Sequence, residues 1–420
     1  MKRRHRFQAQ VDDEGRLVLP LETISRFGLK PGVQVEVEDG GNHLRLRRPI
    51  THLAKVYIEP TNACNLECRA CIRNVWDEPV GLMSGKTFDR IVEGLNSFSP
   101  RPTVFFGGFG EPLFHPKIVN MVARAKALGT TVELITNGTL LTKEMSRQLI
   151  GAGLDMLWVS LDGATPESYA DVRLGAALPE VLTNLRGLRN ALVLSDDTDL
   201  YSAKPHIGII FVAMKRNISD LPSVMRLGYQ LGSHRFLVTH VLPYVAEMRD
   251  ESLYTGLRTD ISYLPPDTGL DLPKIDINDL TSKTLCEVMQ WCRGMRFAGA
   301  SLTEANNLCP FVDRGATVIG WEGGLSPCLP LLHSHVSFLH DKERVSRRYL
   351  VGNVSERDLN RLWEDPEYQA FRERVGAFDF SPCTFCGACE FSEKNEEDCF
   401  GNTFPTCGGC LWAQGIIQCP

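Results

Sequence analysis

The sequence predicts an α/β protein: a partial (β/α)6 barrel between a small β-rich N-terminal unit and a loop-rich, cysteine-dense C-terminal part. Three observations predict it. Residues 51–250 alternate short apolar runs with amphipathic stretches, the pattern of a parallel sheet under outer helices. Residues 1–50 alternate with period two between turn signals. Beyond a polar connector, residues 251–300, periodicity fades while Cys, Gly and Pro accumulate through residues 301–420.

In the first unit, Arg16–Pro20 reads as a strand after the turn Asp12-Asp13-Glu14-Gly15. Pro20 opens and Gly28 closes a helix on which Leu21, Ile24 and Phe27 share a face. Val33, Val35 and Val37 then alternate with Gln34, Glu36 and Glu38, and Asp39–Asn42 turns the chain into Leu44-Arg45-Leu46-Arg47. These residues, above all Asp13–Pro20 with Gly28–Gly32, resemble the AbrB/MazE swapped-hairpin family. That resemblance implies dimerisation and, in many members, DNA binding.

The barrel strands are expected at Val56–Ile58, Val104–Phe106, Thr131–Ile135, Met156–Leu161, Ile207–Val212 and Phe236–His240. Helices fall between them. Lys86–Phe98 carries a Phe88, Ile91, Val92, Leu95 stripe behind the N-cap candidate Ser84. Lys117–Leu128, Lys143–Ile150, 178–192 and 219–231 follow. Six β–α steps are fewer than the eight that close a full barrel, so the sheet is expected to stay partial. In the C-terminal part, Leu359–Val375 reads as one helix with Leu362, Trp363, Tyr368 and Phe371. The rest has little apolar material for a core, and bound metal is the expected cross-link.

Composition narrows the function class. The chain has 420 residues, 43% of them hydrophobic, and a formal charge of −6. Its longest apolar run, Ile207–Met214, falls well short of the roughly 18 residues of a membrane span. The basic N-terminus runs into Gln8, Gln10 and Asp12 where a signal peptide needs an apolar stretch. The expected location is the cytoplasm, with no membrane partner. Thiols stay reduced there, so fourteen cysteines point to metal or catalysis. Cys64, Cys68 and Cys71 form one group, and the next cysteine is Cys286. Cys286 and Cys292 suit buried thiols of a helix-like stretch. The C-x2-C steps Cys68/Cys71, Cys383/Cys386, Cys386/Cys389 and Cys407/Cys410 do not.

Cys64-x3-Cys68-x2-Cys71 places three thiolates on a loop directly after a strand. Structural zinc and ferredoxin cubanes both take four ligands. Three leave one iron of a cubane open, or require a distant residue to complete a zinc site. The segment Ile58-Glu59-Pro60-Thr61-Asn62-Ala63-Cys64-Asn65-Leu66-Glu67-Cys68-Arg69-Ala70-Cys71 resembles the cluster loop of the radical SAM superfamily. The resemblance implies a [4Fe–4S] cluster whose open iron is chelated by S-adenosylmethionine. It also implies reductive cleavage to a 5′-deoxyadenosyl radical that abstracts hydrogen from substrate, the cofactors supplying the chemistry.

Other segments follow the same layout. Gly107, Gly108, Glu111 and Pro112 follow the second strand as a GGE-type motif, which implies recognition of the cofactor's ammonium group. Read alone, they are also a Gly-rich βα turn. Ser160 and Asp162 end the fourth strand and are expected to meet the cofactor's carboxylate and ribose; read alone, Asp162 is equally an N-cap for the helix near Pro166. Asn137 and Asn217 occupy comparable strand ends. Where the family usually has an aromatic residue before the third cysteine, this chain has Ala70, so adenine must stack elsewhere.

Cys309-x13-Gly323-x4-Cys328 resembles the opening of a SPASM domain, the auxiliary-cluster extension of many radical SAM maturases. Cys383, Cys386, Cys389, Cys399, Cys407, Cys410 and Cys419 follow, at spacings that depart from the usual run. Nine thiols suffice for two auxiliary [4Fe–4S] clusters with one to spare. By analogy Cys309, Cys328 and Cys399 would serve the nearer cluster, and Cys383, Cys386, Cys389 and one of the last three the farther. On residues alone, two zinc ribbons are the other reading. Leu329 follows Cys328 where sulfatase-maturing relatives carry an acidic base, which argues against formylglycine formation.

The segments Cys71–Pro79 and Phe404–Gly415, with the AbrB-like start, resemble the radical SAM maturases of tungsten-cofactor aldehyde ferredoxin oxidoreductases. The resemblance implies that oxidoreductase or its pterin cofactor as substrate, and a low-potential donor such as ferredoxin or flavodoxin. Two alternatives stand beside it: a peptide-modifying SPASM enzyme, and a redox-sensing AbrB-like DNA-binding regulator. Ten Lys/Arg against seven Asp/Glu in residues 1–50 is weak charge for phosphate contacts. Nucleic acid is therefore not the expected partner, and the unit is expected to form a homodimer or to dock substrate.

Overall fold

The structure is a computed structural model of the chain. It describes residues 8–33, 35, 37–39, 44–195, 203–254, 270–273, 275–276, 278–291, 295–297, 307–339, 342–381, 383–386 and 390–420.

The N-terminal unit is two hairpins around a helix. Strands β1 (Gln10–Val11) and β2 (Leu17–Val18) pair antiparallel. The Asp12 carboxylate holds their turn, accepting from the Glu14 and Arg16 amides at 3.1 and 2.8 Å. Helix α1 (Leu21–Phe27) ends on Gly28, whose φ of 63° suits a residue without a Cβ. Strands β3 (Val37–Asp39) and β4 (Leu44–Leu46) form the second hairpin. The unit has almost no interior. Val11, Leu17, Val18, Leu21, Val37, Leu44 and Leu46 are all exposed, Leu21 at 81%.

The six expected barrel strands are present and parallel. They are β5 (Lys55–Ile58), β6 (Thr103–Phe106), β7 (Val132–Thr136), β8 (Met156–Ser160), β9 (His206–Ala213) and β10 (Arg235–His240), neighbours in that order. The helices between them are α2 (Gly85–Leu95), α3 (Ile118–Ala127), α4 (Lys143–Gly151), α5 (Pro166–Val172), α6 (Leu178–Ser195) and α7 (Leu221–Gln230). Ser84 does cap α2, accepting from the Thr87 amide at 3.0 Å. The helices lay Phe88, Ile91, Val122, Leu149, Val181, Leu185 and Val224 onto Val56, Val104, Val132, Leu157 and Ile209 of the sheet in one continuous core.

The sheet runs on across the boundaries expected near residues 250 and 300. The stretch read as a polar connector supplies β11 (Leu270–Leu272) and β12 (Met295–Phe297), both parallel, with α8 (Asp279–Trp291) between them. Strands of three residues are too short to show alternation. At the other end α9 (Pro310–Asp313) leads into β13 (Ala316–Ile319), which pairs parallel with β5. Antiparallel β14 (Gly324–Ser326) follows. The hairpin β15 (His335–Leu339) and β16 (Lys342–Ser346) stands apart. Then β17 (Gly352–Asn353) closes the row, making eleven strands in the order β12-β11-β10-β9-β8-β7-β6-β5-β13-β14-β17.

The single helix expected at Leu359–Val375 is two helices, α10 (Leu359–Trp363) and α11 (Pro366–Ala377). Pro366 has no amide hydrogen to continue the first, and Asp365 caps the second, accepting from Glu367 and Tyr368 at 3.0 and 3.3 Å. Arg372 of α11 is buried over the rings of Trp363 and Tyr368 at 3.9 and 4.2 Å. It donates to the Ile50 carbonyl at 3.1 Å, and Trp363 Nε1 donates to Thr51 at 2.8 Å. The C-terminal part is thereby tied to the chain just ahead of β5. A short helix, α12 (Cys383–Cys386), opens the last cysteine stretch. Cys292, Cys389 and the side chains of Cys286 and Cys386 lie outside the described residues. Among the described residues no helix is long and apolar enough to cross a membrane.

Candidate active site

The parallel strands β5 to β10 end on one side, and a cavity of about 290 Å³ opens there. Cys64, Cys68 and Cys71 line it from the loop after β5. That loop is fixed before its cysteines begin. Asn62 donates to the Pro79 carbonyl at 3.0 Å and accepts from the Gly81 amide at 2.8 Å. The loop after β6 lies directly on it, with the Glu111 amide donating to Ala63 at 2.8 Å. A Cβ at Gly110 would stand 2.2 Å from the Thr61 carbonyl oxygen, so only glycine permits this approach.

Gly108, Glu111 and Pro112 after β6, Asn137 after β7, and Ser160 and Asp162 at the end of β8 all line the same cavity. Gly107 stands behind the wall against Ile135 and Phe105. Asn217 is not in the lining. Its side chain donates to the Asp162 and Val212 carbonyls at 2.9 and 3.0 Å and accepts from Met214 at 2.8 Å, fastening the loop after β9.

The donor set fits an iron–sulfur cluster. Burial pushes the Cys64 thiol up, and it pushes Cys68 up to about 11, with the neighbouring cysteines adding to both shifts. Thiolates so placed need positive charge beside them, which bound metal supplies. Asn137 Nδ2 points at Cys64 Sγ from 3.8 Å, the kind of donor that steadies a cluster sulfur. Its amide is oriented by Asn65 at 3.0 Å and Thr139 at 2.9 Å.

The two carboxylates differ from simple cofactor acceptors. Glu111 is buried and takes three donors, Leu113 and Thr136 on Oε1 at 3.0 and 2.7 Å and Asn137 on Oε2 at 2.7 Å. Burial raises its carboxyl above the usual range despite them. Oε2 keeps capacity for a further donor. Asp162 spends both oxygens inside the protein. Oδ1 accepts from Val212 at 2.7 Å, and Oδ2 accepts from Arg173 Nε and Nη2 at 2.7 and 2.6 Å. The group that Asp162 presents to the cavity is therefore Arg173, which the sequence reading missed. Burial opposes the Arg173 charge, but Asp162 and the adjacent Cys68 push its pKa higher still. A fixed guanidinium beside the cysteines is the natural partner for an amino-acid carboxylate.

The far wall was also not foreseen. His240, Leu242 and Tyr244 reach it from the end of β10, and Trp412 and Ile417 from the last cysteine stretch. Ala70 lines the cavity as a small residue. Phe109, Tyr244 and Trp412 offer the aromatic faces that Ala70 does not.

A second group of cysteines gathers behind that wall. Burial raises Cys309, Cys328, Cys407 and Cys410, Cys309 up to about 12, and neighbouring cysteines of the four push Cys309, Cys328 and Cys407 further up. Cys328, Cys407 and Cys410 border a cavity of about 60 Å³ with His335 and Arg344. This grouping differs from the one expected by analogy. Cys407 and Cys410, not Cys399, accompany Cys309 and Cys328, and Cys399 is exposed. The reason is a chain reversal that spacing does not encode. Thr406 donates to Asn395 at 2.9 Å and Thr384 to Gly408 at 3.3 Å, folding the last stretch back to the barrel. Cys419 accepts from Trp412 Nε1 at 3.3 Å. Cys383 is buried against Ser381 at 3.0 Å. Arg344 is buried between Cys383 and the Cys407/Cys410 pair, and its guanidinium leaves no room for a Cβ at Gly409, 2.6 Å away. Among the described residues no three His, Cys, Asp or Glu side chains converge on one ion. The sulfurs border a space instead, as thiolates bound to separate irons require.

Residues 58–196 match the model of the radical SAM superfamily, and residues 309–390 match SPASM, an iron–sulfur cluster-binding domain. The chain is thus a radical SAM enzyme, which binds a [4Fe–4S] cluster and S-adenosylmethionine and carries auxiliary iron–sulfur clusters in its SPASM domain. It is 30% identical over 368 residues to the tungsten-containing aldehyde ferredoxin oxidoreductase cofactor-modifying protein of Pyrococcus furiosus, covering 87% of this chain and 96% of that one. It belongs to the family of that protein. Two solved structures share the fold. Streptococcus suis SuiB bound to precursor peptide SuiA superposes with a TM-score of 0.54 at 15% identity, over 83% of this chain and 72% of that one. Native anSMEcpe with bound AdoMet and Cp18Cys peptide gives 0.53 at 15%, over 81% and 87%.

Proposed function

We propose that this enzyme matures a tungsten-dependent aldehyde ferredoxin oxidoreductase, acting on its pterin cofactor or on a side chain of the protein. The observation that carries the reading is the likeness to a protein named as modifying that cofactor, which runs through nearly the whole of both chains. When bound, the cluster and S-adenosylmethionine supply hydrogen-atom abstraction. The chain's own residues hold and shield them. Cys64, Cys68 and Cys71 ligate the cluster, Arg173 and Glu111 orient the charged end of the cofactor, and Phe109, Tyr244 and Trp412 keep water out. Cys309, Cys328, Cys407 and Cys410 hold one auxiliary cluster, with Cys383, Cys386 and Cys389 as ligands of a second. A ferredoxin or flavodoxin delivers the electrons.

The test is anaerobic incubation with S-adenosylmethionine, dithionite and the unmatured oxidoreductase. The expected result is 5′-deoxyadenosine together with a mass change in the oxidoreductase or its extracted pterin. A mass change confined to a short encoded peptide would place the enzyme among the peptide-modifying SPASM proteins instead. Iron-loaded protein that forms no 5′-deoxyadenosine would overturn the reading.

The N-terminal unit is proposed to pair with a second copy, because four short strands and a helix leave seven apolar side chains exposed. Sedimentation of the loaded protein is expected to show a dimer that Leu21→Asp with Leu44→Asp converts to monomer. A monomeric wild type, or a salt-dependent shift of a DNA duplex, would speak for the other readings of this unit.

A further inference from the structure

His333 is buried on the loop between Cys328 and β15, 2% exposed. Both of its ring nitrogens face carboxylates. Nε2 lies 2.9 Å from Glu59 Oε2, and Nδ1 lies against Glu78 Oε2. Glu59 is fully buried where β5 runs into the cysteine loop, and its other oxygen accepts from the Phe109 amide at 2.9 Å. The other oxygen of Glu78 accepts from the Ser334 amide at 3.1 Å. The rings of Trp76 and Phe109 close edge-on over the imidazole, with centroids at 4.6 and 5.7 Å.

A neutral imidazole carries one N–H, yet here two nitrogen–carboxylate contacts each need a proton. The group of three must therefore hold one proton more than a neutral histidine between two carboxylates. Burial works against charge on His333, but the hydrogen bonds and charges of Glu59 and Glu78 outweigh it and raise its pKa. The other titratable group beside it is His335, whose Nδ1 meets the His333 carbonyl at 3.0 Å and whose pKa burial lowers.

We propose that His333 is a positioning residue, an imidazolium that clasps Glu59 and Glu78 and so locks the SPASM loop to both ends of the cysteine loop and to the Gly108–Glu111 segment. Through Phe109 it fixes the backbone that lines the cofactor cavity. The proposal rests on that cavity being the S-adenosylmethionine site. The sign of its pH dependence follows from the raised pKa. The clasp is fully present below the ordinary histidine range, near about 6.5, and is lost as pH rises through the higher pKa of the folded state.

The experiment measures S-adenosylmethionine affinity of the anaerobically loaded enzyme by equilibrium dialysis, between about pH 6 and about pH 9. Wild type, His333→Gln and Glu78→Gln are compared. Wild-type binding is expected to weaken toward high pH. His333→Gln is expected to bind roughly tenfold more weakly at low pH, the size of a lost charge-assisted contact. Its pH profile should retain only the titration of the ligand's own amino group. Glu78→Gln, which removes one carboxylate, is expected to move the wild-type transition to lower pH. Should His333→Gln fail to fold, the direction of the Glu78→Gln transition decides. Parallel profiles for wild type and the folded variants would overturn the proposal. Absence of binding by iron-loaded wild type would instead sink the assignment of the cavity.

Discussion

Cys68→Ala is expected to abolish 5′-deoxyadenosine formation and to remove about four of about twelve iron atoms, the content of three cubanes. Cys68 is one of only three thiolates on the cavity loop, so its loss leaves two. The effect should exceed by far the roughly 10–100-fold cost of losing a contact that merely supports a metal ligand. Cys407→Ala is the control. Cys407 belongs with Cys309, Cys328 and Cys410, so this variant should also lose about four irons but still cleave S-adenosylmethionine. Iron assay and chromatography of 5′-deoxyadenosine on the two variants separate the sites. Cleavage at wild-type rate by Cys68→Ala would refute the assignment of the loop.

Arg173→Met carries the second large effect, in two measurable parts. Asp162 is buried, and its Oδ2 accepts from two nitrogens of Arg173, at 2.7 and 2.6 Å. Removing the guanidinium leaves an uncompensated buried carboxylate, at a cost of about 3–5 kcal/mol in denaturant unfolding. It also removes the cation that faces the cavity, and affinity for S-adenosylmethionine should fall by about tenfold or more. Adding Asp162→Asn separates the two. The double variant should recover much of the stability and none of the affinity. If affinity returned with stability, Arg173 would be only a strut.

The parts of this molecule legible in its sequence are those made by near neighbours. The six strands β5 to β10 announce themselves because each is apolar and strand-sized, with helical stretches falling between them. The loop Cys64–Cys71 is legible because its three thiolates lie within one turn of chain. The split at Pro366 was equally local, and Asp365-Pro366 was its signal. What stayed hidden depends on chain reversals and on groups that are ordinary in isolation. Nothing in the spacing from Cys309 to Cys410 says that the last stretch folds back past Cys399. Arg173 is one arginine among many until Asp162 aims it, and Asp162 looked like the ligand because it stands at the strand end. Trp412 and His333 become part of the cavity and its frame only when the C-terminal part is laid on the barrel.

The pairing of β13 with β5 also governs how this enzyme could be dissected. The domain models meet their limits at residues 196 and 309, which invites the notion of a free-standing catalytic half. Yet Lys55–Ile58 is bonded along its whole length by Ala316–Ile319. A chain ending before residue 309 would bare that strand as an edge on which Val56, Tyr57 and Ile58 run together, with charge only at its ends, on Lys55 and Glu59. Such a fragment would be prone to add strands from its neighbours and to stack into aggregates. The clusters are thus carried by one indivisible slab, and engineering that aims to swap substrate-binding parts has to leave β13 in place.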